Sequence, residues 1–383
     1  MIKIISAFIL GTFLSLGVQA QPSSCSHEAT LQGRSDIIHC EPWTSSTWYT
    51  NYNDDGEKTS PTAATGPDQT SLQTNCFLGG NCLRVNCYAY NNGNCGGMLA
   101  HHYPIPGNHD EIYLRYYIRM APNWSPENYC GDVSCIPSGS IGQNTTSGGK
   151  WPGLADVRTN ADPSGQCGNG GAYSDGINCW SARLRYRNCT GSGGADICTS
   201  GGTETTRLGW YWYVPTGPTN GQDFGAFDNE SWDTDLHGVG GGTSCATSSD
   251  WHGSTGTDAT SCGKGAAGLK NSTWYRVELH IKMNTPSVAD GIAEAWISEV
   301  TTSDIVVATK KYYKPNMMFR LTGHDNLHVR TVWLDVHMGG EGNGALTDTY
   351  IELANLVVAT QRIGSFRTST YDFVSDPFSI TIN

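Results

Sequence analysis

The chain has 383 residues and a formal net charge of −12, and it contains 47 glycines while only 15% of its residues are charged. Such an acidic surface argues against nucleic acid as a partner, so any affinity for a polyanion has to come from a local basic cluster. This composition is typical of a β-sandwich with long loops rather than of a helical protein.

The chain begins with a segment typical of a secretory signal, residues 1–20. Lys3 precedes an apolar run over 4–18, and small residues follow, so cleavage is expected after Ala20. The run is too short for a membrane anchor, and no later stretch approaches the roughly 20 apolar residues of a spanning helix. We therefore expect a secreted protein, extracellular or periplasmic, that is monomeric and has no membrane partner.

Fourteen cysteines follow the signal segment, and their even number in an exported chain predicts up to seven disulfide bonds. The alternative is metal binding, but the spacings match no zinc ligand set. No cysteine follows Cys262, so the bridges are expected to staple the loop-rich part of the chain.

Residues 21–97 are polar and cysteine-rich, which predicts an N-terminal segment packed on a main domain over 98–383. Apolar and polar residues then alternate with a period of two, as in β-strands. The clearest cases are Glu111–Met120, Tyr275–Met283, Val332–Met338 and Thr349–Ala359. Glycine-rich stretches separate them, and no run has a helical period. The pattern predicts an all-β fold, a β-jelly-roll sandwich of two antiparallel sheets with long, disulfide-stapled loops.

The most informative strand runs from Trp180 to Arg187. Ser181, Arg183, Arg185 and Arg187 share one of its faces. Like charges at this spacing repel each other, which indicates that an anion lies across the face. The alternative is a solvated face whose arginines pair with acidic residues of a neighbouring strand.

Two further segments carry candidates for chemistry. In Gly209–Tyr213, Tyr211 and Tyr213 share a face and suit proton transfer beside a sugar, although strand aromatics more often serve packing. In Gly148–Leu154, Lys150 is a single lysine in a glycine-rich turn.

Weaker candidates for substrate binding lie on other strands. His101 and His102 are candidates to line a groove, with a surface or structural role as the alternative. Arg276, His280 and Lys282 share a strand face that suits contact with substrate carboxylates, and a solvated face is the alternative.

Together these segments resemble the polysaccharide lyases of families 14 and 20, which include alginate and glucuronan lyases. The resemblance rests on HDEIYLRYYIRM at 109–120, GGKWPGLAD at 148–156, NCWSARLRYR at 178–187, LGWYWYVP at 208–215 and WYRVELHIKMNTPSVADGIAEAWI at 274–297. It departs from the family in its many cysteines, its long insertions and Ser298-Glu299, where Asp-Gly is expected.

The resemblance implies a jelly roll that binds a uronic acid polymer, an anionic polysaccharide, on its concave face. The working set of the alginate lyases is a lysine, a Ser-x-Arg pair and a Tyr-x-Tyr pair. These positions fall on Lys150, Ser181, Arg183, Tyr211 and Tyr213. We therefore expect Lys150 and Arg183 to neutralise the carboxylate during β-elimination, with the two tyrosines as acid and base.

Substrate binding is expected to involve Ser181, Arg185, His101, Arg276, His280 and Lys282. The reaction requires no cofactor, and structural calcium in loops such as Asp223–Asp235 is left open.

Two alternatives to a lyase are a non-catalytic carbohydrate-binding protein on the same fold and a jelly-roll glycoside hydrolase. The 12 tryptophans and a basic groove suit binding alone. A retaining hydrolase needs two carboxylates about 5 Å apart, and Glu278 and Glu294 are isolated. The Tyr-x-Tyr pair favours the lyase.

Overall fold

The computed structural model describes residues 25, 28–46, 53–54, 70–87, 99–124, 148–156, 176–177, 179–188, 204–214, 268–338 and 348–366. The signal segment and the Asp223–Asp235 loop lie outside them. The described elements are β-strands and two short 3₁₀ turns, Ala29–Leu31 and Phe77–Gly79. Among the described residues, no helix has the length and hydrophobicity that crossing a membrane requires.

The strands follow one another along the chain. They are β1 (Ile37–Glu41), β2 (Asn53–Asp54), β3 (Thr70–Gln73), β4 (Cys82–Cys87), β5 (Leu99–His109), β6 (Glu111–Met120), β7 (Gly148–Asp156), β8 (Trp180–Asn188), β9 (Glu204–Tyr213), β10 (Gly268–Lys270), β11 (Trp274–Lys282), β12 (Gly291–Val300), β13 (Val306–Met317), β14 (Val329–Met338) and β15 (Thr349–Ala359). All four strands predicted most clearly from the alternation are present.

The strands form two antiparallel sheets. The first has the order β13-β12-β11-β6-β15-β4-β3, with β1 also paired to β15. The second has the order β10-β9-β8-β7-β14-β5-β2. One hydrophobic core contains residues of both sheets, such as Leu279 of β11 and Leu334 of β14. The predicted sandwich of two antiparallel sheets is therefore confirmed.

Alternation along each strand decides which residues face the core. On β14, Val332, Leu334 and Val336 belong to the core cluster. Because successive strand residues point to opposite faces, Trp333 and Asp335 lie on the outer face of the second sheet. The candidate site is built on this outer face.

Buried charges tie both ends of the described chain to the outer face of the first sheet. Arg115 of β6 is fully buried and pairs with Glu28, with 2.5 Å between Nη2 and Oε2. The carboxylate of Glu278 accepts the backbone N–H groups of Ile363 and Gly364 at 2.6 and 3.1 Å. These partners satisfy charged groups that would be costly to bury alone.

The six described cysteines are all disulfide-bonded. Two complete bridges are visible, Cys25–Cys40 and Cys76–Cys82. Cys87 and Cys179 are bonded as well. This agrees with the disulfide framework expected of an exported chain, and the other eight cysteines lie outside the described residues.

A small polar cluster lies inside the sandwich at β1. The cross-strand partners of His39 and Glu41 are Val358 and Leu356, which are core residues. The His39 ring stacks on Tyr103 of β5 with 3.8 Å between centroids. Burial raises the pKa of Glu41 to about 7 and lowers the pKa of His39 to about 4.

The raised pKa of Glu41 predicts that this residue makes stability fall as pH rises. Folded protein retains the Glu41 proton up to about pH 7, whereas the unfolded chain releases it near the ordinary value of 4.5. The contribution is fully present below pH 4.5 and is lost as pH rises through 7, a change of about 3 kcal/mol.

We expect Glu41→Gln, which stays neutral and still accepts the Trp43 N–H, to remove this dependence. Urea unfolding of both proteins at pH 5 and pH 8 measures the difference, because His39 and the other titrating groups are common to both. Parallel stability curves for the two proteins would contradict this interpretation.

Candidate active site

One row of paired residues crosses five strands of the second sheet. Tyr211 of β9 pairs with Arg183 of β8, which pairs with Gly153 of β7. Gly153 pairs with Trp333 of β14, and Trp333 pairs with His102 of β5. The strand order therefore brings together residues that are more than 200 positions apart in the sequence.

Gly153 keeps this row open at its centre. An irregularity between Trp151 and Gly153 makes Pro152 an extra residue of β7, and the Tyr116 hydroxyl donates to the Pro152 carbonyl at 3.1 Å. A Cβ atom at Gly153 would lie 2.5 Å from the Arg183 Cα atom and closer still to the Ala182 carbonyl oxygen. Only glycine fits, and no side chain separates Arg183 from β14.

Arg183 uses this gap to reach β14. Its guanidinium carbon lies 3.8 Å from the centroid of the Trp333 ring, and Nη1 forms an ion pair with Asp335. The Arg183 side chain is 0% exposed and that of Asp335 is 3% exposed. Pairing and cation–π stacking offset the cost of burying this charge. The alternative interpretation is a solvated face whose arginines pair with acidic residues of a neighbouring strand. Arg183 does have an acidic partner, but Asp335 lies two strands away and the pair is buried.

Tyr213 of β9 lies near the same guanidinium. The centroid of its ring is 5.7 Å from the Arg183 guanidinium carbon, and the residue is 1% exposed. Ser181, which is fully buried, is the cross-strand partner of Tyr213. The structure therefore places Tyr213, Ser181 and Arg183 of the predicted set together, with Asp335 and Trp333 as additional members.

Lys150, Arg185 and Tyr211 take register positions beside this centre. Lys150 is half-buried on β7 and pairs with Arg185 of β8. Arg185 is two residues after Arg183 and therefore lies on the same face of β8. Tyr211 pairs with Arg183 itself. The side chains of Arg185 and Tyr211 lie outside the described part of the chain.

His102, rather than His101, belongs to this face. His101, which is predicted to line the groove, pairs with the core residue Leu334 and thus faces the sandwich interior. His102 meets the Trp333 ring edge-on, with 4.7 Å between centroids. Adjacent strand residues necessarily point to opposite faces, so only one histidine of the pair can line the site.

The His102 ring is buried with its hydrogen-bonding capacity unused. The residue is 5% exposed, and within the described chain neither ring nitrogen has a hydrogen-bond partner. Burial, and then the charge of Arg183, lower its pKa to about 4. Near neutral pH the ring is uncharged, so one nitrogen can donate to a bound hydroxyl group and the other can accept from one.

Arg276, His280 and Lys282, which are predicted to bind substrate at neighbouring subsites, lie in the other sheet from Arg183. All three are on β11, in the first sheet, and alternate with core residues such as Val277. They therefore face the surface of the sandwich opposite Arg183. His280 is instead held between Glu111 and Glu294, at 2.9 and 2.6 Å. Alternation predicts the face of a strand but not which sheet it joins.

No protein-family model matches the chain, and neither does any curated protein. Among solved structures it is similar to a family 14 alginate lyase from Aplysia kurodai, with 18% identity, 77% of this chain and 88% of that chain covered, and a TM-score of 0.48. It is also similar to an alginate lyase from a Chlorella virus, with 14% identity, 76% and 90% coverage and a TM-score of 0.42.

The chain is also similar to an endo-β-1,4-glucuronan lyase from the fungus Trichoderma reesei, with 12% identity and a TM-score of 0.31. The match covers 76% of this chain and 87% of that chain.

Proposed function

We propose that this protein is a secreted polysaccharide lyase that cleaves a uronic-acid polymer of the alginate or glucuronan type by β-elimination. The observation that carries the proposal is the buried Arg183 guanidinium, which pairs with Asp335, stacks on Trp333 and has the centroid of the Tyr213 ring 5.7 Å from its central carbon. A cation and a phenol at one point of a sheet face are the two groups that this reaction needs.

The reaction removes the proton at C5 of a uronate and expels the oxygen at C4. The C5 proton is poorly acidic beside an ionised carboxylate, so a cation on that carboxylate stabilises the enolate-like transition state. Arg183 offers a planar guanidinium, which can bind both carboxylate oxygens, and Lys150 supplies a second positive charge nearby. Burial strengthens these interactions because water screens them less.

Tyr213 is proposed to exchange protons with the sugar, while Tyr211 shares this role or holds the leaving oxygen. Negative charge that develops on the Tyr213 oxygen is stabilised by the neighbouring guanidinium. Ser181, Arg185 and His102 are proposed to contact the bound sugar. Arg183 and Tyr213 are both buried, so the polymer must gain access to them before it can react.

A non-catalytic polysaccharide-binding protein is the second candidate. The ion pair of Arg183 with Asp335 favours it, because a guanidinium that Asp335 already neutralises stabilises an enolate-like transition state less. A retaining hydrolase is disfavoured, because Asp335 is the one carboxylate that the described residues place against Arg183, and it is already paired with a cation.

Incubation with alginate, glucuronan and other polyuronates separates these functions. A lyase forms a C4–C5 double bond, so we expect ultraviolet absorbance to grow together with the reducing ends. Reducing ends without absorbance indicate a hydrolase. Tight binding without either product indicates a binding protein and would refute the proposal.

Tyr213→Phe is expected to lower kcat by 10²–10⁴-fold, the usual contribution of a positioned acid–base group. The ring and its contact with Arg183 remain, so folding and most substrate affinity should survive. Tyr275→Phe is the matched control, because it removes a hydroxyl from another buried tyrosine, in the first sheet. Rates on the best polyuronate, with circular dichroism of each variant, give the comparison. Equal rates for the two folded variants would remove Tyr213 from the mechanism.

Arg183→Lys is expected to keep the charge beside Asp335 but lose the planar two-nitrogen contact with the substrate. If that contact tightens on the enolate, kcat should fall by about 10²-fold or more while KM changes little. Steady-state kinetics with a melting temperature for each protein measures this split. A rise in KM at unchanged kcat would show that Arg183 contributes only uniform binding.

A further inference from the structure

The outer face of the first sheet carries two arginines around one carboxylate, on the surface opposite the candidate active site. Arg84 of β4 and Arg119 of β6 are the cross-strand partners of Glu352 of β15, one on each side. Arg84 donates from Nε and Nη2 to Oε1 of Glu352 at 3.1 and 2.7 Å. Arg119 donates from the same two nitrogens to Oε2 at 2.8 and 2.5 Å. These two arginines are called the arginine pair below.

Aromatic rings fix both guanidinium groups in place. The guanidinium carbon of Arg84 lies 3.9 Å from the centroid of the Tyr350 ring, and that of Arg119 lies 4.7 Å from the Trp274 centroid. Ion pairing and stacking together hold each side chain in one orientation. A ligand would therefore lose little affinity to the ordering of these side chains.

The arginine pair has more positive charge and more N–H donors than Glu352 can pair. Two cations share one anion, which leaves a surplus of one positive charge in a protein of net charge −12. Neither Nη1 atom has a hydrogen-bond partner in the described part of the chain, and the side chains are 27% and 29% exposed. Glu352 is 1% exposed beneath them. One arginine would suffice to neutralise this carboxylate, so the second adds like-charge repulsion unless an anion joins it.

The residues around the arginine pair suit a sugar chain. Ser71 pairs with Arg84 on the neighbouring strand, and Asn86 pairs with Tyr350. Hydroxyl and amide groups thus flank the guanidinium groups, and Glu352 is the one acidic residue in these two rows of described residues. Two partly exposed guanidinium groups, with hydroxyl and amide groups on the strands beside them, match a polymer that carries both hydroxyls and oxyanions.

We propose that the arginine pair is a second, non-catalytic binding site for an acidic polysaccharide, whose carboxylate or sulfate groups bind the outward guanidinium nitrogens. The choice of a uronic acid polymer as its occupant rests on the proposed function. The site lies on the opposite surface of the sandwich from Arg183, so it holds polymer without taking part in its cleavage.

Arg84→Gln tests the proposal without dismantling the sheet, because Arg119 continues to neutralise the buried Glu352. Arg34→Gln is the matched control: Arg34 is an arginine of similar exposure, 24%, paired with one carboxylate, that of Asp36. Both changes are made in the Tyr213→Phe background to slow cleavage. Affinity electrophoresis in gels that contain polyuronate, sulfated galactan or neutral glucan measures binding.

We expect Arg84→Gln to weaken binding to an acidic polymer by about fivefold at low salt, as for loss of one exposed charge contact, while Arg34→Gln has no effect. If Arg84→Gln weakens binding to polyuronate more than to sulfated galactan, the site prefers carboxylates, and the reverse result indicates sulfates. Binding to neutral glucan should be the same in both variants. Equal retardation of the two variants by both acidic polymers would overturn the proposal.

Turnover of a short oligouronate by Arg84→Gln in the otherwise natural chain separates this site from the proposed active site. We expect kcat/KM on the short substrate to be unchanged, because the two sites lie on opposite surfaces. If Arg84→Gln lowered kcat/KM on the short substrate as much as it lowered affinity for the polymer, the proposal of a separate site would be overturned. A natural chain that binds acidic polymer through Arg84 but forms no unsaturated product would refute the lyase and leave the second site standing.

Discussion

The contact of Arg183 with Trp333 and Asp335 depends on a glycine between them. The three residues lie on β8 and β14, and β7 runs between these strands. A side chain at position 153 would collide with the backbone of β8, whereas glycine lets β7 approach closely and leaves a gap for the guanidinium. The extra residue Pro152, held by the Tyr116 hydroxyl, sets the register at which this gap faces Arg183.

This constraint places a buried charge on the outer face of the second sheet. Asp335 neutralises the guanidinium, and the Trp333 ring stacks on it. The same ring contacts His102, whose two nitrogens remain unpartnered among the described residues. A cation, a phenol and an uncharged imidazole thus lie close together: Arg183 contacts Trp333, the centroid of the Tyr213 ring is 5.7 Å from the Arg183 guanidinium carbon, and His102 meets the edge of the Trp333 ring. In a site screened from water, their electrostatic effects on a bound uronate are larger than they would be at a solvated surface.

Local patterns in the sequence predicted much of the fold. Alternation identified β6, β11, β14 and β15, because one face of each strand is packed in the core. It also put Arg183 and Ser181 on one face of β8, since that relation depends only on the period of the strand.

Relations between distant strands were not predictable in this way. Arg276 and His280, like Arg183, lie on the polar face of an alternating strand, but the sheet order places them in the other sheet. His101 was preferred to His102 because nothing local reveals which of two neighbouring residues faces the core. Asp335, 152 residues from Arg183, could be found only through the register of β7 with its neighbours.

The most direct test of the account is a crystal structure of the Tyr213→Phe variant with a bound uronate tetrasaccharide. The account predicts a sugar carboxylate within hydrogen-bonding distance of the Arg183 guanidinium, with C5 of that sugar facing position 213. An oligosaccharide bound elsewhere, with Arg183 still buried against Asp335 and Trp333, would contradict it.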